Sequence, residues 1–189
     1  MPYLAELVRA MNGLELKFLR GTVSDVVELM KRGDADLAIA GPITESWERF
    51  DSKPLFTEDF LLLAHESHRL AKKASIDMSD LQGERLLTRT YCEQADHLVS
   101  RLKGDSIDNP PGHEVSSERD LLTLLENKFG VAVVPQSTAV PAQIKRLPIP
   151  GLQINRTVYL YAVAGRPRSN AASTLVNQLQ AADWSETLH

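Results

Sequence analysis

The stretch LELKFLRGTVSDVVELMKRGDADLAIA, residues 14–40, decides how the rest of the chain is read. Leu14, Leu16 and Phe18 alternate with Glu15 and Lys17, the period of a strand with one face inward. Gly21-Thr22 turns the chain. Thr22 followed three residues later by Asp25 is a capping-box pattern, so a helix is predicted over 23–32 with Val26, Val27 and Met30 facing a core. Gly33 is placed as its C-terminal stop. Asp36 to Ala40 then reads as a short apolar strand in a sheet covered on both faces. The whole is a β-α-β unit whose connection suits a parallel pair.

Outward from this unit, Leu4, Leu7, Val8 and Met11 predict an amphipathic helix over residues 2–12. Downstream, strands are predicted over 53–56 and 57–64, a polar loop over 65–75, a helical turn over 78–82 and a strand over 85–89. The second half repeats the logic. A helix over 93–103 is followed by a loop over 104–112 containing Pro110-Pro111, and by a strand over 113–116. Ser117 with Asp120 is a second capping-box pattern, opening a helix that buries Leu121, Leu122, Leu124, Leu125 and Phe129 and stops at Gly130. Val131 to Val134 is a strand ended by Pro135. Strands over 144–149 and 157–163 and a helix over 169–182 complete the chain. The expected architecture is two Rossmann-like α/β lobes, each with a mixed sheet. Residues 1–84 plus 162–189 form one lobe and 85–161 the other, joined by two crossing segments.

Composition restricts the function. The 189 residues are 43% hydrophobic and 24% charged, which is globular. Twenty-one basic residues against 25 acidic ones give a net charge of −4, so this chain is not expected to contact nucleic acid itself. A single cysteine, Cys92, excludes an intrachain disulfide and a multi-cysteine metal site, and fits a reducing compartment. Apolar runs fall short of the roughly 20 residues a membrane span needs. The start, Met1-Pro2-Tyr3-Leu4, carries no secretion signal, so a cytoplasmic location without membrane contact is expected.

No Gly-rich phosphate loop, dinucleotide fingerprint or nucleophile elbow is present; no cofactor, metal or catalytic residue is assigned. His65 and His68 lack the spacing of a zincin helix and a third ligand, and read as a solvated pair. Cys92 with Asp96 and His97 offers a thiol, a base and a carboxylate, but so close in sequence that they share one surface helix. The capped helix starts at Thr22 and Ser117 each follow a strand. Ligands in open α/β sheets bind beyond the carboxyl ends of strands, where helix N-termini favour anions. Simple capping is the other reading of both residues. Arg89, after a strand, could pair an anionic ligand through its planar fork or make a surface ion pair. Gly41-Pro42 could admit a ligand close to the backbone or form a plain turn.

These residues carry a family resemblance. Leu14-Glu15-Leu16 through Gly21-Thr22, Val27-Glu28-Leu29-Met30, Gly33-Asp34-Ala35-Asp36-Leu37-Ala38-Ile39, Leu61-Leu62-Leu63-Ala64 and Gly130-Val131-Ala132-Val133-Val134-Pro135 follow in the order of the effector-binding domain of LysR-type transcriptional regulators. His68-Arg69-Leu70-Ala71 resembles that family's His-Pro-Leu-Ala turn, with Arg69 in place of proline. The resemblance implies a type 2 periplasmic-binding-protein-like fold with a small, anionic effector held between two lobes. It also implies homodimers or homotetramers, with DNA read by an N-terminal winged helix-turn-helix. Matched to that pattern, the residues begin at the domain's first helix, without the strand that precedes it or the DNA-reading part. Residue by residue, Thr22, Gly41, Thr88, Arg89, Thr90, Ser116 and Pro135 fall at or near the family's cleft positions; with Pro42 and Ser117 from the turn and cap readings above, they make the expected effector-binding set.

The expected function is therefore a non-enzymatic, ligand-sensing regulatory domain. A solute-binding protein of a transport system would share the fold, and an enzyme on the same scaffold is the third reading.

Overall fold

The computed structural model describes residues 8–9, 15–43, 49–108 and 110–185. The predicted helix over 2–12 lies outside them, apart from the helical Val8 and Arg9, as does Leu14. The chain divides into two compact units, Met1–Thr57 with Arg156–Leu188, and Glu58–Asn155.

In the first unit, helix α1 (Val23–Arg32) forms where the capping box places it. Thr22 Oγ1 accepts from the Asp25 N–H, and Asp25 returns a contact to the Thr22 N–H at 2.8 Å. Gly33 ends the helix at φ 83°, left-handed backbone that glycine adopts without steric cost. Strand β1 (Leu37–Ala40) runs antiparallel to β7 (Asn155–Val163), with Leu37 opposite Ala162 and Ala40 opposite Tyr159. Next to β7 lies β2 (Phe50–His65). Alternation along β7 sorts the two cores. Tyr161 and Val163 pack with Met30 of α1, whereas Leu160 packs with Val176 and Leu179 of α4 (Asn170–Ala181).

Two expectations change here. Residues 15–20 carry no regular secondary structure and form no ladder among the described residues, and Leu16, Phe18 and Leu19 are 38–65% exposed. An alternating pattern describes a strand's faces and supplies no partner. The described ladder of β1 is antiparallel, and Ile39 is exposed, so β1 is not the doubly covered parallel strand expected.

The second unit holds β3 (Leu87–Arg89), α2 (Ala95–Gly104), β4 (His113–Val115), α3 (Glu118–Glu126), β5 (Ala132–Pro135) and β6 (Ile144–Pro148). Strand β3 is parallel to β4 and is bridged in parallel to the start of β5 through Leu86 and Val131. Strand β5 pairs antiparallel with the second half of β2, which pairs antiparallel with β6. Leu62, Ala64 and Val133 face the α2 side with Leu102. Leu63, Ala132 and Val134 face the α3 side with Leu121 and Leu125.

Strand β2 is one run of sixteen residues where two strands were expected. Its second half belongs to the core of this unit, together with Leu70, Ile76 and Leu81. The units therefore part at 57/58 and 155/156, rather than at 84/85 and 161/162. Helix α3 ends at Glu126, with Lys128 at φ 64°, so Gly130 is not its stop. A Cβ on Gly130 would lie 2.3 Å from the Arg85 carbonyl oxygen, which is why glycine stands there. No helix of the described residues is long and apolar enough to cross a membrane.

Candidate functional site

Three parallel segments bring the predicted residues of the second unit to one end of its sheet. Arg89 closes β3, Ser116 and Ser117 follow β4, and Pro135 closes β5. The strands sit tightly because glycine lets them: a Cβ at Gly112 would lie 2.2 Å from the Leu86 carbonyl oxygen. Such an end is where ligands of parallel α/β sheets bind.

Arg89 is 7% exposed. Its Nη2 donates to Cys92 Sγ at 3.0 Å, and its guanidinium carbon lies 5.9 Å from the Phe60 ring centroid and 5.7 Å from that of Tyr91. No carboxylate of the described residues pairs with it. The surface ion pair, one of the two readings of Arg89, is absent among the described residues: Arg89 is a buried cation in contact with a thiol and two rings. A thiol is a weak acceptor, and a buried charge is costly unless paired and hydrogen-bonded. Cation–π contacts contribute on the order of 1 kcal/mol each and offset part of that cost. Burial pushes the Tyr91 hydroxyl above its ordinary pKa, against the opposing Arg89 charge, and the buried Tyr91 Oη has no well-formed hydrogen bond among the described residues.

Beside this group is a narrow cleft, partly open to solvent, with room for about 20 Å³ of water-sized contents. Phe60, Leu98, Val133 and Ile154 give it apolar walls, Gln94 and Cys92 are polar members of its lining, and among the described residues Arg89 is its one charged side chain. Pro135 stands opposite Phe60 in the β2–β5 ladder, and Thr88 also lines the cleft.

Other predicted positions serve the fold directly. Thr22 is exposed, and its Oγ1 donates to Asp25 Oδ2 at 2.8 Å. Ser117 Oγ donates to Asp120 Oδ2 at 2.6 Å and accepts from the Asp120 N–H at 3.1 Å. The second capping pattern therefore runs through the serine hydroxyl in both directions. Each helix start already holds its own carboxylate. The Asp25 carboxyl lies below its ordinary value because the Thr22 hydroxyl and then the Thr22 N–H donate to it. Thr90 gives both its N–H and its hydroxyl to the Val115 carbonyl at 3.2 Å, tying β3 to β4. Gly41 and Pro42 lie in the other unit after β1. The Gly41 carbonyl accepts from Tyr161 Oη at 3.0 Å, and Pro42 is exposed.

The histidines find structural work. His65 Nδ1 meets Ser67 Oγ. His68 Nδ1 accepts from the Leu70 N–H, leaving Nε2 facing Glu84 at 3.2 Å. His97 Nδ1 meets Gln94, while Cys92 receives Arg89. Among the described residues no group of three His, Cys, Asp or Glu could hold a metal. Phe60 and Tyr91 were not anticipated at the site. Tyr91, two positions after the strand-end Arg89, is a weak sequence signal, and Phe60, on β2, gives none.

The model of the LysR substrate binding domain matches residues 1–184. The transcriptional dual regulator GltC of Bacillus subtilis strain 168 is 26% identical over 176 residues, covering 85% of this chain and 55% of that protein. The chain thus spans about half of that relative's length. The regulatory domain of CcmR from Synechocystis PCC6803, solved in complex with 2-PG, superposes with a TM-score of 0.79 at 20% identity, over 95% of this chain and 88% of that one. The effector binding domain of QuiR, in complex with shikimate, gives 0.73 at 21% identity, over 94% and 88%. Both are likenesses of fold, α/β of the type 2 periplasmic-binding-protein kind.

Proposed function

The chain belongs to the LysR substrate-binding domain family, and on that premise we propose that it is the ligand-sensing domain of a LysR-type transcription regulator whose effector is a small anion. One observation supports the anion above all: Arg89, buried at the carboxyl end of β3 with no carboxylate of the described residues paired to it. An anionic ligand would give this guanidinium the charge-assisted, two-point partner that a thiol does not.

Thr88, Thr90, Ser116, Ser117 and Pro135 are the further effector positions proposed in the same unit, and Thr22, Gly41 and Pro42 those in the other. The domain senses and does not catalyse. In the whole protein, DNA contact would come from a separate segment and assembly from pairing into homodimers or homotetramers, in the cytoplasm. Effector binding would shift the balance between states of that protein by no more than the effector's differential affinity for them.

Thermal shift and calorimetry of the protein against a panel of organic acids and phosphorylated acids test the reading. At least one acid is expected to bind and raise the melting temperature, and Arg89→Gln is expected to weaken it at least tenfold. If no acid in the panel binds, or the best one binds Arg89→Gln equally well, the anion reading is wrong.

A further inference from the structure

Resting on the reading of Arg89 as an anion receptor, we infer that Tyr91 and the turn over residues 91–94 form a lid on that arginine, closed in this structure, which opens before an anion reaches the guanidinium. Three observations carry this. First, the cleft beside Arg89 has room for about 20 Å³ of contents, which is one water. A carboxylate or phosphate group has several heavy atoms and does not fit, so a receptor at Arg89 needs a wall that moves.

Second, the walls differ in how they are held. Phe60 and Val133 stand on β2 and β5, paired strands in the core of the unit. Cys92 and Gln94 stand on the short turn between β3 and α2. That turn is pinned at one end, where Thr90 gives its N–H and its hydroxyl to the Val115 carbonyl, both at 3.2 Å. At the other end Gln94, the N-cap of α2, makes no side-chain cap, unlike Thr22 and Ser117 at the starts of α1 and α3. Moving the turn breaks no ladder and no cap, so it is the wall that gives at least cost.

Third, the closed form buries a group that gains by leaving. The Tyr91 ring centroid lies 5.7 Å from the Arg89 guanidinium carbon, and Tyr91 also packs against the core cluster of Leu87 and Val115. These contacts hold the lid down. Against them works the Tyr91 hydroxyl, buried with no well-formed hydrogen bond among the described residues. A buried hydroxyl without a partner is costly, and swinging outward returns it to water. The free-energy gap between closed and open forms is narrowed accordingly.

Phenylglyoxal, an arginine reagent larger than a water, measures the opening. The whole protein is labelled, and peptide mass spectrometry gives the rate at Arg89, with the exposed Arg32 as internal reference. Arg89 should label at least tenfold more slowly than Arg32, at a rate that stays flat with urea below the unfolding transition, the mark of a local opening. Tyr91→Ala should raise the Arg89 rate at least tenfold. Tyr91→Phe keeps the ring and removes the hydroxyl, and should lower the rate a few-fold; Arg32 should be unchanged in both. Benzoate, succinate, glycerol phosphate and inorganic phosphate are then added in turn, and at least one should protect Arg89. Labelling of Arg89 that rises as steeply with urea as unfolding does overturns the lid, as does Tyr91→Phe labelling no more slowly than wild type. In either case protection of Arg89 by one of the anions leaves the sensor reading standing. Failure of every anion to protect Arg89, in wild type and in Tyr91→Ala, overturns both.

Discussion

The Tyr161 hydroxyl donates to the Gly41 carbonyl at 3.0 Å and accepts from the Ile43 N–H at 3.0 Å. One phenol on β7 thus closes the turn that leaves β1, satisfying a backbone donor and a backbone acceptor at once. Burial raises its pKa, with the Ile43 N–H working in the opposite direction. Tyr161→Phe leaves both backbone groups without this partner, for a cost of about 1–3 kcal/mol. Urea denaturation is expected to show a lower midpoint at an unchanged slope.

Close approach at Gly130 makes a sharper contrast. Gly130→Ala would force a methyl to within 2.3 Å of the Arg85 carbonyl oxygen, which accepts from the Val131 N–H. The clash is with backbone, so β3 and β5 must move apart. A loss of roughly 2 kcal/mol or more is expected, in the range of overpacking and strain. Gly104→Ala, at the end of α2 with nothing within 4 Å of its Cβ, should be neutral or stabilising. Equal effects in chemical denaturation of the two variants would contradict this account.

The core of the second unit is tested at Leu62. It is fully buried in β2, opposite Val133 on one side and Leu147 on the other. Leu62→Ala removes those contacts and leaves a cavity, costing about 2–5 kcal/mol. Hydrogen exchange should show lost protection in β5 and β6.

Helix caps are local and smaller. Thr22→Ala and Ser117→Ala each remove an acceptor for the N–H three residues on, at about 1 kcal/mol each. The two lie in different units, so the double variant should lose the sum of the two. A double-mutant cycle with a coupling energy well above about 0.5 kcal/mol would contradict this independence.

Acid sensitivity follows from carboxyls held low. Asp80 lies below its ordinary 3.8 because the Lys73 ammonium and then the Asp77 N–H donate to it. Asp25 is lowered by Thr22 and Asp183 by Ser185. A carboxyl whose folded pKa is depressed adds stability above its unfolded pKa, and that stability is lost as pH falls through the folded value. Stability is therefore expected to drop as pH falls below about 4, with Asp80→Asn showing a shallower drop. Asp25 and Asp183 face solvent, so their share should be small and shrink with added salt, whereas the Asp80 side chain is 16% exposed.

How much could be read before folding was seen depended on range. Helix α1 was legible to the residue, because Thr22, Asp25 and Gly33 act within a few positions of one another. The strand-end location of Arg89, Ser116 and Pro135 was legible as well, since alternating helix and strand signals order a parallel sheet. The surroundings of Arg89 were not. Its rings come from Phe60 on β2 and from Tyr91, and which groups surround it is a property of the packed whole. The strand expected over residues 14–18 failed for the same reason. Leu16 and Phe18 display a strand's period, but a ladder needs an edge delivered from elsewhere.

By itself, then, the sequence determined the helices, their caps, the apolar strands and the family to which they belong, because each of these rests on contacts a few residues apart or on their linear order. Only the tertiary structure decided that β2 is one long strand shared by both units, where those units divide, and that Arg89 is a buried cation facing a thiol. Those outcomes depend on which distant segments exclude water from one another, and burial is a property of the packed whole, not of any one stretch of chain.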